Sequence, residues 1–259
     1  MSKSAAGLLV SVLEGVGGYF IFFKETVVWM FRPPFDAKNI VNQMLEIGCK
    51  SIPVTAITLF FTGMVMALQI GKTMDSLMSG SSQFIGSAVT IAMFRELCPV
   101  MTALLLAGRV GSSIAAEIGT MQVTEQIDAL RTLSANPIQY LSVPRFIACL
   151  VMTPVLTVIT DLTGVLGGAL IAFFSLGVTP VRYAENIIEF VTVDSLVSGI
   201  VKSVFFGIII AIIACYQGFN TRGGAEGVGK STISAVVISS MAVLIADYFL
   251  TYLLTFIDL

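Results

Sequence analysis

The sequence predicts an all-α membrane protein with five transmembrane helices, an N-terminal interfacial elbow helix before them, and a cytoplasmic helix between the second and third spans. Of its 259 residues, 56% are hydrophobic and 12% are charged, and the mean hydropathy is +0.94; soluble domains carry about 25% charged residues. The charges also leave long uncharged windows of the length that crosses a bilayer. We predict a single domain, residues 1–259, with an interfacial region at 1–50 and a transmembrane bundle at 51–259.

The N-terminal region allows two interpretations. Residues 7–31 are rich in aromatic and aliphatic side chains, yet Glu14 lies among them, so this segment could span the membrane or lie flat on it. Pro33 and Pro34 then stop a helix, and a second, amphipathic stretch runs to Lys50. We favour an elbow helix in the cytoplasmic leaflet.

Five spans follow from the uncharged windows. Each is separated from the next by polar or glycine-rich residues, and the third is long enough to tilt or to project from the bilayer. The predicted spans cover residues 51–70, 84–107, 145–176, 195–219 and 231–256. A loop with four charged residues is predicted between the third and fourth spans: Arg182, Glu185, Glu189 and Asp194.

The distribution of basic residues predicts the orientation of the chain. With the N-terminus in the cytoplasm, external loops hold only Lys72 and Arg182, whereas the other lysines and arginines outside the spans lie on the cytoplasmic side. Cytoplasmic loops of membrane proteins carry such an excess. The N-terminus is therefore predicted to be cytoplasmic.

Besides Asp161, which lies partway along the third span, four ionisable residues are predicted at membrane depth: Arg95, Glu96, Lys202 and Asp247. Their formal charges sum to zero, and a lone charge at the bilayer centre costs roughly 2.5 to 3.5 kcal/mol on insertion scales, so we expect them to pair in the bundle interior. Such a network either fixes the register of the helices or lies near a transport path and rearranges between states. Pro99 lies one turn after Arg95 and predicts a kink beside the charges.

The polar connector after the second span contains a predicted amphipathic helix, because its apolar residues recur at helical spacing. The apolar face comprises Val123, Ile127 and Leu130, and the polar residues around it include Gln122, Glu125, Asp128 and Arg131. This helix either anchors the connector at the membrane interface or docks a cytosolic partner.

Small residues recur at every fourth position before this connector: Ala103, Ala107, Gly111, Ala115 and Gly119. Such a row predicts close helix packing. Its spacing leaves open whether the neighbour is another span of this chain or a second copy.

Several classes of function are disfavoured. The chain has no histidine, which is the commonest metal ligand and general base, and its four cysteines show no CxxC spacing, so we expect no metal and no cofactor on it. A net charge of −2 without a basic tract argues against nucleic acid. Gly224, Gly229, Lys230 and Ser231 match the Walker A pattern, but no α/β domain surrounds them, and we interpret them as a glycine-rich turn between two spans.

The residues from Phe94 to Pro144 closely resemble the MlaE/YrbE permeases of MCE-type ABC lipid transporters; they read FRELCPVMTALLLAGRVGSSIAAEIGTMQVTEQIDALRTLSANPIQYLSVP. The later GAEGVGKST, from Gly224 to Thr232, is similar to the last cytoplasmic turn of that family, although Lys230 stands where arginine occurs at least as often. The similarity covers nearly the whole chain in length and in the order of spans.

The resemblance implies the permease subunit of an ABC transporter that moves phospholipids between the bacterial inner membrane and an MCE-domain protein, and so supports the lipid asymmetry of the outer membrane. It further implies a homodimer of permeases bound to cytosolic ATPases. ATP and Mg²⁺ would bind the ATPase, and this chain would be non-catalytic. A STAS-domain protein is a further expected partner.

The resemblance also assigns roles to residues. The helix around 117–133 becomes a coupling helix that binds the ATPase, in which Val123, Ile127 and Leu130 are apolar anchors and the polar residues are Glu117, Glu125, Asp128 and Arg131. The phospholipid would occupy an apolar cavity between two copies, lined in part by the first and fifth spans. Helical spacing and adaptable side chains select five candidates on the first span: Phe61, Met64, Val65, Leu68 and Gln69.

Rival functions have different requirements. An ion-coupled secondary transporter would use Glu96 or Asp247 as its ion site and would usually contain an internal repeat, of which the sequence shows no convincing example. An intramembrane enzyme would need a nucleophile with a base, or a set of metal ligands, and the sequence offers neither. A scaffold explains the charged spans poorly.

Overall fold

The computed structural model describes residues 2–33, 36–77 and 85–256, with side chains described from residue 15 onward except at 75–77. Within these ranges the chain consists of helices and short turns and contains no strand. Five helical runs in the described residues are long and apolar enough to cross a membrane, which confirms the predicted all-α membrane fold. We name them span 1 to span 5 in chain order: Ala37–Met74, Ile85–Val123, Ile138–Leu176, Val193–Phe219 and Gly224–Phe256.

The spans are built from α-helices, some of them joined by single π-helical turns. The α-helices are α1 (Ser2–Met30), α2 (Ala37–Met44), α3 (Ile52–Leu77), α4 (Ile85–Ala92), α5 (Cys98–Leu106), α6 (Ser112–Val123), α7 (Gln126–Thr132), α8 (Val143–Leu176), α9 (Pro180–Phe190), α10 (Val193–Phe219) and α11 (Gly224–Phe256). The π-helical turns are Leu45–Cys49, Met93–Leu97, Ala107–Gly111 and Ile138–Ser142. Even the shortest span has 27 residues and is longer than the roughly 30 Å hydrocarbon core of a bilayer, so the spans tilt or project from it.

Span 1 begins earlier than predicted, at Ala37. Asp36 caps its first helix by accepting a hydrogen bond from a backbone N–H in the first turn, at 3.1 Å. The amphipathic stretch that follows packs on span 3, since Ile47 is buried and a Cβ on Gly48 would collide with the Met152 side chain. Only the end of this stretch is buried in the bundle, whereas Val41 and Leu45 are 54% and 52% exposed.

The N-terminal helix α1 is a single helix of 29 residues. Its aromatic residues pack on the bundle: Phe22 contacts Tyr216 and Phe219, with ring centroids 5.8 and 5.7 Å apart, and Phe23 contacts Phe146 at 6.1 Å. These contacts hold its C-terminal half against spans 3 and 4. Whether α1 lies in the interface as an elbow helix stays a prediction.

The segment between spans 3 and 4 is a helix rather than the predicted loop. α9 begins at Pro180, and although its sequence is polar, two of its residues, Tyr183 and Asn186, are buried against the bundle. Because α7 precedes the long span 3 and α9 follows it, the two short helices lie at opposite ends of the bundle. We call these ends the α7 end and the α9 end.

Glycines allow the closest approach between spans 1 and 3. A Cβ on Gly63 would collide with the Gly164 carbonyl oxygen, and a Cβ on Gly167 would collide with that of Phe60. These backbones therefore touch directly, as small residues allow in membrane helices.

The row of small residues on span 2 faces span 4 of the same chain and the turn that follows it. A Cβ on Gly119 would meet the Thr221 side chain at 2.8 Å, and one on Gly111 would lie 3.7 Å from Ile210. Ala103, Ala107 and Ala115 are fully buried. The row thus packs within the protomer.

Candidate functional site

A buried lysine on span 4 is the centre of a cluster of charged residues in the bundle. The Lys202 side chain is 1% exposed, and its Nζ lies 2.8 Å from Glu96 Oε1 and 3.2 Å from Asp247 Oδ1. The ammonium also donates hydrogen bonds to the Thr251 hydroxyl at 2.7 Å and to the Arg95 backbone carbonyl at 2.9 Å. Spans 2, 4 and 5 are tied together at this point, which we call the Lys202 cluster.

The Arg95 carbonyl is available for a reason that lies in the sequence. Pro99 follows four residues later and has no N–H, so it cannot make the usual helical hydrogen bond to this oxygen. The backbone here forms the π-helical turn Met93–Leu97, at the place where a kink was predicted. Lys202 supplies the missing donor.

Arg95 joins the cluster through its backbone and not through its charge. Its Nε donates a hydrogen bond to Ser195 Oγ at 3.0 Å, so the guanidinium lies apart from Lys202, as expected for two cations in a medium that screens them poorly. The structure thus brings together three of the four predicted charges. It adds Thr251, which the sequence analysis missed, although its position one turn after Asp247 could have pointed to it.

The two carboxylates of the cluster are more open than the lysine. The side chains of Glu96 and Asp247 are 43% and 20% exposed. With one cation and two anions, the cluster has a formal charge of −1 when all three groups are ionised. It can rearrange its ion pairs but contains no nucleophile with a base, and the described residues hold no group of three potential metal ligands among His, Cys, Asp and Glu.

The connector after span 2 is broken into two helices, whereas a single helix around 117–133 was predicted. Helix α6 runs to Val123, and Glu125 then adopts a left-handed backbone conformation with φ of 60°, which separates α6 from α7. Glu117 lies on α6, where its Oε2 pairs with Arg145 Nη2 at 2.8 Å. Glu117 therefore belongs to the bundle and Val123 ends a span.

Helix α7 turns its apolar face toward its own bundle. Ile127 is fully buried in the core, and Leu130 packs against the same core. Within the protomer the Ile127 side chain is covered by its own chain, and its role as an anchor in another protein stays a prediction. The outer surface presents the Asp128–Arg131 ion pair at 2.9 Å and Leu133, which is 77% exposed. The sequence analysis did not select Leu133, because this residue follows the end of α7 and lies outside the helical pattern.

The five candidate cavity residues lie on an open face of span 1. Phe61 and Val65 are 59% and 61% exposed, Gln69 is exposed, and Met64 and Leu68 are half-buried beside them. Within the protomer these side chains face outward. Span 5 is the least buried of the five and exposes four aromatic residues beyond Asp247: Tyr248, Phe249, Tyr252 and Phe256.

The residues that match the Walker A pattern are helical, whereas a glycine-rich turn was predicted. Span 5 begins at Gly224, so residues 229–231 lie inside a helix, where the backbone N–H groups make helical hydrogen bonds. Lys230 Nζ pairs with Glu226 Oε1 at 2.7 Å on the surface. A P-loop needs N–H groups that converge on phosphate, and this helix interior does not provide them.

Comparison with known proteins places relatives along nearly the whole chain. Residues 40–253 match the family model described as Permease MlaE. A probable ABC transporter permease protein of Rickettsia felis is 42% identical over 98% of this chain and 97% of its own length. One of Synechocystis sp. is 42% identical over 91% and 89%. The chloroplastic protein TRIGALACTOSYLDIACYLGLYCEROL 1 of Arabidopsis thaliana is 37% identical over 95% of this chain and 67% of its own length.

Proposed function

Because this chain belongs to the MlaE permease family, we propose that it is the subunit of an ABC transporter that carries phospholipids through the membrane while a separate chain hydrolyses ATP. It works as a homodimer in the bacterial inner membrane, with the N-terminus and the α7 end in the cytoplasm. An MCE-domain protein exchanges phospholipid with it, and a STAS-domain protein joins the assembly. ATP and Mg²⁺ are bound by the ATPase.

The observation that carries this proposal is how α7 packs against the bundle. Ile127 fixes the helix in the bundle core, while its outer surface carries charges and the exposed Leu133. A partner that binds this surface and displaces α7 would also displace the bundle, because a packed core transmits displacement. This combination suits a coupling helix for an ATPase.

The chemistry of the exposed spans supports lipid as the cargo. The open faces of spans 1 and 5 are apolar, and two copies that met through them would enclose a cavity with hydrocarbon-like walls. The name of the Arabidopsis relative refers to a galactolipid, which is also a membrane lipid. We therefore assign the five candidate residues on span 1 to the wall of that cavity.

The connection from α7 to the cavity runs through span 2. Span 2 leads directly into α7, and it also supplies Glu96 and the Arg95 carbonyl to the Lys202 cluster on spans 4 and 5. When the ATPases close on ATP, the two α7 helices approach each other and span 2 shifts against this cluster. The cavity then alternates between two shapes with different affinity for lipid.

Co-purification with the ATPase tests the coupling role. The double variant Glu125→Lys, Asp128→Lys reverses two exposed charges beside α7 without touching the buried residues, so the bundle should fold and lose the ATPase. The control is Glu185→Lys, Glu189→Lys on α9, which makes the same charge change at the opposite end of the bundle. This variant should retain the ATPase.

Two results would contradict the proposal. Equal ATPase retention in both double variants would remove α7 from the interface. Failure of any ATPase to co-purify with the unchanged chain would favour the rival, an ion-coupled transporter that uses Glu96 and Asp247.

A further inference from the structure

A cavity of ≈ 500 Å³ at the α7 end lies between the C-terminal end of α1, the start of span 1 and the residues that lead into span 3. We propose that it binds the headgroup of a phospholipid that carries a primary amine, of the phosphatidylethanolamine type. The bound lipid would be held by one protomer, so this site is separate from the transport cavity between two copies. Its volume falls within the roughly 300 to 1,000 Å³ of small-molecule sites.

The walls of this cavity carry one cation and one anion that do not neutralise each other. Arg32 and Asp36 both line it, and neither forms an ion pair within the described residues. Asp36 uses one carboxylate oxygen to cap α2, which leaves the other for a ligand. A phosphodiester and an ammonium two carbons apart present the complementary pair of charges, since guanidinium binds phosphate and carboxylate accepts N–H donors.

The surrounding contacts hold the cavity in shape. Gln139 Nε2 donates to the Arg32 backbone carbonyl at 2.8 Å and ties the end of α1 to the start of span 3. The Arg32 guanidinium lies over the Trp29 ring, 4.9 Å from its centroid, which restricts where the charge can lie. A preformed site loses less entropy when it binds its ligand.

The position of the cavity also suits a headgroup. Trp29 and Tyr140 line it at the ends of long apolar helices, and Trp and Tyr are enriched at the membrane–water interface. A second cavity of ≈ 690 Å³ shares Trp29, Ser134, Ala135 and Asn136 with the first, and its other lining residues include Phe22, Phe219 and Arg131. The charged cavity therefore continues into a neighbouring one whose walls are both aromatic and polar.

The amine distinguishes this proposal from general lipid contact. Choline has no N–H to donate to Asp36, and glycerol carries no positive charge, so phosphatidylcholine and phosphatidylglycerol each satisfy only part of the site. We expect binding to favour phosphatidylethanolamine over both.

Trp29 is the single tryptophan of the chain and lines the cavity, so its fluorescence reports on the site. The purified chain is reconstituted in phosphatidylcholine nanodiscs that contain a few mole per cent of brominated phosphatidylethanolamine, phosphatidylcholine or phosphatidylglycerol. Quenching is measured relative to the unbrominated lipid for each variant. Brominated phosphatidylethanolamine should quench severalfold more than the other two, and Arg32→Ala should reduce its quenching to their level.

Two further variants separate the site from the surface. Asp36→Asn keeps an N-cap residue but removes the charge, so phosphatidylglycerol should then quench as well as phosphatidylethanolamine. Lys24→Ala removes an exposed cation of α1 that does not line the cavity and should leave the preference intact. Equal quenching by all three lipids in the unchanged chain, or the same loss in Arg32→Ala and Lys24→Ala, would overturn the proposal. The readout needs neither ATP nor transport, so it can fail or succeed independently of the proposed function.

Discussion

Lys202→Met should destabilise the bundle, because it removes the cation that the carboxylates of Glu96 and Asp247 share. Losing one partner of a buried ion pair costs about 3 to 5 kcal/mol. Since these two side chains are 43% and 20% exposed, solvent relieves part of the cost, and we take the lower end, about 3 kcal/mol. At roughly 2 to 4 °C per kcal/mol for a chain of this size, the melting temperature should fall by about 6 to 12 °C.

The assay is thermal unfolding of the detergent-solubilised chain, followed by the loss of the monodisperse peak in gel filtration after heating. Lys230→Met is the matched control, because Lys230 is 75% exposed and its surface pair contributes at most about 1 kcal/mol. Neutralising both carboxylates in the Lys202→Met background, with Glu96→Gln and Asp247→Asn, should restore part of the loss. Equal melting temperatures for Lys202→Met and Lys230→Met would contradict the proposed role of the buried cation. A triple variant that melts below Lys202→Met alone would contradict it as well.

Two further predictions concern packing and coupling. Gly63→Ala should separate spans 1 and 3, destabilise the fold by about 1 to 3 kcal/mol and so lower the melting temperature. Gly229→Ala is the control, because an added Cβ there meets nothing within 4 Å, and it should be neutral or stabilising. Equal melting temperatures for the two variants would contradict the close contact between spans 1 and 3. Ile127→Ala should destabilise the fold by about 2 to 5 kcal/mol, because the side chain is fully buried. Leu133→Ala should leave the melting temperature unchanged and weaken ATPase retention in co-purification, because Leu133 is exposed. The reverse pattern would contradict the packing of α7 on the bundle through Ile127 and its exposure of Leu133 to a partner.

The sequence predicts the spans well because hydrophobic windows of bilayer length have few alternatives. It predicts their ends poorly, since a helix can continue into polar residues once tertiary contacts hold it. Gly224 starts span 5 inside a segment that composition marks as a turn, and α9 forms in a segment marked as a loop because Tyr183 and Asn186 find partners on the bundle.

The site shows the same limit. Burial of ionisable residues in spans predicts that Glu96, Lys202 and Asp247 will meet, because unpaired charges there are costly. The pattern cannot say that Arg95 contributes its carbonyl, which depends on how Pro99 alters the local backbone. Likewise, periodicity identifies the apolar face of α7 but not the surface that covers it, and Ile127 is covered by its own chain.

Transport in proteoliposomes tests whether this chain moves phospholipid with energy from ATP on another subunit. The chain is reconstituted with its ATPase, and transfer of a fluorescent phospholipid to an added MCE-domain acceptor is followed with and without ATP and Mg²⁺. We expect transfer that requires ATP, both subunits and an intact α7 surface, and that is lost in Glu125→Lys, Asp128→Lys. Transfer that is independent of ATP and follows an imposed proton gradient instead would contradict it.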